Sequence, residues 1–161
     1  MSEKFTHLDT AGNPSMVDVS QKKATHRRAV AQALVQLNEE VLTHLTNDEI
    51  HTKKGPVFQI AIIAGVMAAK RTGELIPLCH PIGMDNCQVQ IAITENNLVR
   101  ILCEASVIGK TGIEMEAMTG ASVAALTIYD MCKAFSHEIV IKEVRLLEKT
   151  GGKRDFKSTI A

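Results

Sequence analysis

In the run Arg28-Ala29-Val30-Ala31-Gln32-Ala33-Leu34-Val35-Gln36-Leu37, the residues Ala29, Ala31, Ala33, Val35 and Leu37 fall at every second position. Arg28, Gln32 and Gln36 fall on the other side, with Val30 and Leu34 as apolar exceptions. A period of two is that of a strand with one face on a core. Toward the C-terminus, Asn38 is a good N-cap and Glu39-Glu40 suits the positive end of a helix, predicted to about Thr46. Residues 47–55 read as a polar loop holding His51, Lys53, Lys54 and Gly55. Pro56 suits the first turn of a helix through about Arg71, which Gly73 should end. Its small residues Ala61, Ala64, Gly65, Ala68 and Ala69 would allow close packing. Residues 74–85 carry two prolines around Leu78-Cys79-His80 and read as an ordered loop.

Residues 88–94 alternate again, Glu95-Asn96-Asn97 makes a turn, and residues 98–107 return as a partner strand. Gly109-Lys110-Thr111-Gly112 breaks the chain before a long helix over residues 113–136, and residues 139–147 form a last strand. Toward the N-terminus, Met16-Val17-Asp18-Val19 reads as a short extended piece. Residues 1–15 read as a flexible lead-in with a turn at Gly12-Asn13-Pro14, ahead of a single domain over 16–161. The order strand, helix, strand, strand, helix, strand predicts an α+β fold. It is the ferredoxin-like split β-α-β arrangement, an antiparallel sheet with its helices on one face. The other face of such a sheet needs a cover or a partner.

Composition bounds the function. A chain of 161 residues is one domain's worth, and 45% apolar against 22% charged is an ordinary globular balance. Eighteen basic residues cancel eighteen acidic ones, which argues against a protein built to grip nucleic acid. The aromatics are Phe5, Phe58, Tyr129, Phe135 and Phe156, too few for base-stacking platforms. The longest nearly apolar run, residues 60–69, is half of what a membrane-spanning helix needs, about twenty residues. No secretory signal is evident at the N-terminus. Cys79, Cys87, Cys103 and Cys132 lie far apart with no C-x-x-C pair, which reads as reduced thiols of a cytoplasmic protein rather than a zinc site.

The long helix holds the side chains of most interest. Thr111 and Glu114 have the spacing of a capping box, so Glu114 has a structural reading as well as a functional one. Glu116 lies fourteen residues before Asp130, which returns to within about 40° of the same helix face. The two are about 21 Å apart along the axis at 1.5 Å per residue, so one helix cannot bring both to one reacting centre. Either the ligand is long or two chains share a site. Asp130 and Lys133, three apart, can be a solvated ion pair or functional neighbours. Arg27-Arg28 and Lys53-Lys54 lie on loop edges, and Lys70-Arg71 complements a helix C-terminus. Lys149 and Lys153-Arg154 surround Thr150-Gly151-Gly152, a tail whose backbone could come close to a phosphate. His80 stands in a loop stiffened by Pro77 and Pro81. Cations, carboxylates and one histidine suit a polyanionic small molecule better than a metal.

Three segments carry a resemblance: Leu75-Ile76-Pro77-Leu78-Cys79-His80-Pro81, Lys110-Thr111-Gly112-Ile113-Glu114-Met115-Glu116-Ala117, and residues 121–134, ending Asp130-Met131-Cys132-Lys133-Ala134. Together they resemble the MoaC family of molybdenum-cofactor biosynthesis, the cyclic pyranopterin monophosphate synthases. The likeness runs from about Thr6 to Phe156 and takes in Met16-Val17-Asp18-Val19, Lys54-Gly55 and Lys149-Thr150-Gly151-Gly152-Lys153. It implies a ferredoxin-like catalytic domain, a homo-oligomer that is a hexamer assembled from dimers, and active sites between subunits. The implied reaction turns 3′,8-cyclo-7,8-dihydroguanosine triphosphate, made from GTP by a radical S-adenosylmethionine partner enzyme, into cyclic pyranopterin monophosphate and pyrophosphate. No cofactor and no metal are expected.

Matched motif to motif, the resemblance assigns Asp130, Lys133 and Lys54 as catalytic. It assigns Leu78, Cys79, His80, Met115 and Glu116 to substrate binding, with Glu114, Arg27 and Lys70 as further pocket positions. Two positions depart from the family pattern. Pro56 stands where Asp often follows the Lys-Gly step, which bears on where the helix starts, and Thr150 stands in place of a frequent Ser and keeps its hydroxyl. The chemistry fits the residue types, because opening an aminal, rebuilding a pyrazine ring and closing a cyclic phosphate all move protons. A lysine crowded by cations is expected to have a lowered pKa and to exchange a proton near neutral pH. Two rivals predict less: a non-catalytic nucleotide-holding subunit, and a plain α+β dimerisation module.

Overall fold

The computed structural model describes residues 11–159, so most of the expected lead-in lies outside the described residues. Twelve elements follow in order: β1 (Thr25–Gln36), α1 (Glu39–Leu42), β2 (Leu45–Thr46), β3 (Glu49–Thr52), β4 (Gly55–Pro56), α2 (Val57–Lys70), α3 (Thr72–Leu75), β5 (Asn86–Ile93), β6 (Leu98–Gly109), α4 (Glu114–Cys132), β7 (Val140–Thr150) and β8 (Phe156–Lys157). The large sheet has the strand order β5-β6-β1-β7-β8, and all of its pairings are antiparallel. Without the short β8, this is the interleaved order of the ferredoxin-like fold expected from the sequence. The alternation in β1 holds. Ala29, Ala31, Ala33 and Val35 are buried, and opposite them on β6 stand Ala105, Cys103, Ile101 and Val99.

Both long helices cover that face. Buried Ala117, Ala121, Ala124, Ala125 and Ile128 of α4 pack on β1 and β6, and buried Val57, Phe58 and Ala61 of α2 join the same core. The helices approach closely because a glycine on each sits at their crossing. A Cβ on Gly65 would lie 2.9 Å from the Gly120 carbonyl oxygen, and one on Gly120 would lie 2.6 Å from Cys103 Sγ. The other sheet face is laced with polar side chains instead of being left bare. Arg28 forms a forked pair with Glu104, Arg100 donates to Gln32, and Gln32 donates to Glu143. Gln32 is only 4% exposed there, hydrogen-bonded between Arg100 and Glu143.

Several local expectations are corrected. The helix after Asn38 is a single turn that stops at Leu42, although Asn38 Oδ1 does accept the Val41 N–H at 3.3 Å. The chain then enters a three-stranded sheet, β2-β3-β4, so the expected polar loop over 47–55 is two tight turns joined by strand β3. Gly73 does not end a helix; it lies inside the short α3. Met16-Val17-Asp18-Val19 belongs to no strand of either sheet. The long helix runs only over Glu114–Cys132, four residues shorter at its C-terminus than expected. Among the described residues, no helix is long and apolar enough to cross a membrane.

Candidate active site

The residues expected to matter gather in two places, at opposite ends of α4. The first is a cleft of about 470 Å³ between the 76–85 loop and the first turn of α4. Leu78, Cys79 and His80 line it from the loop, and Glu114, Met115 and Glu116 line it from the helix. Pro77 and Pro81 stiffen the loop, and the Cys79 N–H donates to the Ile76 carbonyl at 3.1 Å. His80 Nε2 lies 2.8 Å from the Val17 carbonyl oxygen. A carbonyl only accepts, so Nε2 carries a proton, and in the neutral ring Nδ1 is the acceptor. That bond also explains why the 16–19 segment matters although it forms no strand. It is tied to the loop, and Val17 and Val19 form one wall of the cleft.

Thr111 and Glu114 do not form the capping box. The helix starts at Glu114 itself, with Ile113 as its N-cap and no side-chain cap bond. The Glu114 carboxylate instead accepts from Lys149 Nζ at 2.8 Å, across from the end of β7. Glu116 is only 3% exposed. Burial pushes its carboxyl upward, and the neighbouring charge of Glu114 adds to this. The Cys79 thiol, which lines the same cleft, is raised by burial and then by the charge of Glu116. Glu116 also lines a second cleft of about 370 Å³, with Lys70, Thr72 and Glu74 on its far side. Arg27 stands beside Glu114 and Lys149 and donates from Nε to the Gly109 carbonyl at 3.0 Å.

Lys22, which the sequence reading missed, and Lys149 and Lys153, which it named only as the basic flanks of the Gly-Gly pair, add three cations to the first cleft. The signal for two of them was present in the Gly-Gly pair. The expected tail is an ordered turn, with Thr25 Oγ1 donating to the Gly151 carbonyl at 2.7 Å and the Gly151 N–H to Asp155 Oδ1 at 3.0 Å. Gly151 has φ of 81°, and a Cβ there would collide with the His26 carbonyl oxygen.

The second place holds Lys54, Asp130 and Lys133. Asp130 accepts from Lys133 Nζ through Oδ1 at 2.7 Å and from Lys54 Nζ through Oδ2 at 2.8 Å. The two ammonium groups hold its carboxyl down to about 2. Against the expectation of a lysine lowered by neighbouring cations, Lys133 is raised, because its hydrogen bond to Asp130 outweighs other influences. All three side chains are well exposed and line none of the clefts around Glu116. Among the described residues, no three His, Cys, Asp or Glu side chains stand together as a metal would require.

Comparison with known proteins returns one consistent likeness. Residues 16–152 match the model of the MoaC family. The chain is 53% identical over 159 residues to a molybdenum cofactor biosynthesis bifunctional protein of Synechocystis sp., spanning 96% of this chain but 46% of that protein. It is 49% identical over 155 residues to a cyclic pyranopterin monophosphate synthase of Xanthomonas campestris, covering 96% of this chain and 94% of that one. It is 46% identical over 169 residues to molybdenum cofactor biosynthesis protein 1 of Dictyostelium discoideum, of which it spans 27%.

Proposed function

Because this chain belongs to the MoaC family, matched across residues 16–152, we propose that it is an enzyme of molybdenum cofactor biosynthesis acting as a cyclic pyranopterin monophosphate synthase. The observation that carries this reading is 49% identity across nearly the full length of a relative of that name. The cleft supports it in kind, since it pairs a buried carboxyl and an oriented imidazole with several cations.

The proposed reaction is that of a phosphorus–oxygen lyase: 3′,8-cyclo-7,8-dihydroguanosine triphosphate becomes cyclic pyranopterin monophosphate and pyrophosphate. The substrate would come from a radical S-adenosylmethionine enzyme working in the same cytoplasm. Lys149, Lys153, Lys22, Arg27 and Lys70 would offset the triphosphate charge around the two clefts. Glu116, buried and raised, would accept N–H groups of the guanine-derived ring, and His80 Nδ1 would accept a further donor from the ligand. The steps move protons and break or form C–N and P–O bonds, so acids and bases do the work. We assign proton transfer to Lys54 and Lys133, with Asp130 orienting both.

One chain leaves that pair remote from the cleft. The reading therefore includes a homo-oligomer, a hexamer assembled from dimers, in which a neighbouring copy supplies Lys54, Asp130 and Lys133. The test is incubation of purified protein with the cyclised nucleotide and no other enzyme. Product and pyrophosphate should form in equal amounts; binding without conversion would leave only a nucleotide-holding role.

A further inference from the structure

The first N–H groups of any helix lack partners inside it. Pro56, the residue before α2, has no side chain that can accept a hydrogen bond. The α2 amides find their acceptor in Glu49. The Phe58 N–H donates to Glu49 Oε1 at 2.8 Å, and the Gln59 N–H donates to Oε2 at 3.2 Å. The Ile50 N–H also donates to Oε1, at 2.8 Å. A carboxylate that caps a helix from another element does more than end the helix, because it fixes that element to it.

Here the other element is the strand leading to Lys54. Glu49 opens β3, which pairs with β4 through His51 opposite Pro56 and Thr52 opposite Gly55. Lys54 sits in the turn between them, and its N–H donates to Thr52 Oγ1 at 3.0 Å. From that turn Lys54 Nζ reaches Asp130 Oδ2 at 2.8 Å and the Asp130 carbonyl at 3.4 Å. The charge of Glu49 is also felt at the end of α4. The thiol of Cys132, two residues beyond Asp130, is pushed up to about 11 by burial and then by the charge of Glu49.

We propose that Glu49 is the positioning residue for Lys54: by capping α2 from the hairpin strand, it locks the hairpin against α2 and the end of α4 and so sets the lysine over Asp130. The effect on turnover rests on the synthase reading above; the geometric effect does not. The test uses the full chain as Glu49→Ala, Glu49→Gln and the double variant Glu49→Ala/Pro56→Asp. Asp at position 56 restores a local cap to α2 without restoring the tie to β3.

Two quantities decide it. The carboxyl titration of Asp130, followed by 13C NMR and assigned with Asp130→Asn, should move up from about 2 in Glu49→Ala, because one of its two lysines has left. It should stay raised in the double variant although thermal stability returns. With the cyclised nucleotide, kcat should fall about tenfold or more in both, with KM within about twofold, and Glu49→Gln, which keeps one acceptor oxygen, should recover most of it. An Asp130 titration unchanged in Glu49→Ala, or restored together with stability in the double variant, would overturn the proposal. Should the wild-type protein convert no nucleotide, the synthase reading fails alone, and the Asp130 titration still judges Glu49.

Discussion

Asp130 is exposed, yet its carboxyl is the most strongly acidified among the described residues, because an ammonium group sits on each of its oxygens. The sign of the consequence follows from linkage. A carboxyl lowered on folding adds stability above its ordinary value of 3.8 and loses it as pH falls through about 2. A gap in melting temperature between wild type and Asp130→Asn should therefore be open at neutral pH and close across that acid window. Lys133→Ala should abolish product while leaving the assembly intact in sedimentation; normal turnover would remove Lys133 from the chemistry. Lys149 has a different task, pairing with Glu114 at the mouth of the cleft. Lys149→Ala should raise KM for the triphosphate about tenfold, an interaction of about 1.4 kcal/mol, with little change in kcat.

At the scale of elements, the two long helices meet through glycine. Gly65 and Gly120 leave no room for a methyl group, as the Gly120 carbonyl and Cys103 Sγ are already at contact distance. Gly120→Ala should cost about 1–3 kcal/mol by overpacking, read as a lowered midpoint in urea with an unchanged slope. The strands were legible because a period of two can be read in any order of folding. Residues 88–94 and 98–107 pair as β5 and β6 in register, Val89 opposite Cys103 and Ile91 opposite Ile101. Helix ends were less legible. The capping-box spacing at Thr111 and Glu114 is real, but the helix starts later and Lys149 captures the carboxylate. Residues 47–55 looked like solvated loop because their order comes from pairings of two residues and from one carboxylate reaching α2.

At the scale of the molecule, α4 separates two chemistries. Its start faces the cleft with His80 and Glu116, and its end carries the Lys54–Asp130–Lys133 cluster. Among the described residues of one chain nothing closes that distance, about 21 Å along the axis. If each site draws on two copies, inactive Lys133→Ala and inactive Glu116→Gln should complement. Co-refolded in equal amounts, they should regain about a quarter of wild-type activity, since random pairing leaves that share of sites intact. Mixtures that stay inactive would mean that each chain builds its own site.

Read alone, the residues determined the split β-α-β order of the sheet, the core face of β1, the small-residue helix after Pro56 and the family. Those properties follow from periodicity and from motifs contiguous in the chain. Only the folded chain decided that Glu114 pairs with Lys149, that Val17 holds His80, that Glu49 caps α2 and that Lys54 stands beside Asp130. Each of these contacts joins side chains from separate elements. Which of them meet depends on how far each strand runs, where each helix begins and how closely the helices cross, and none of those distances is written in local sequence.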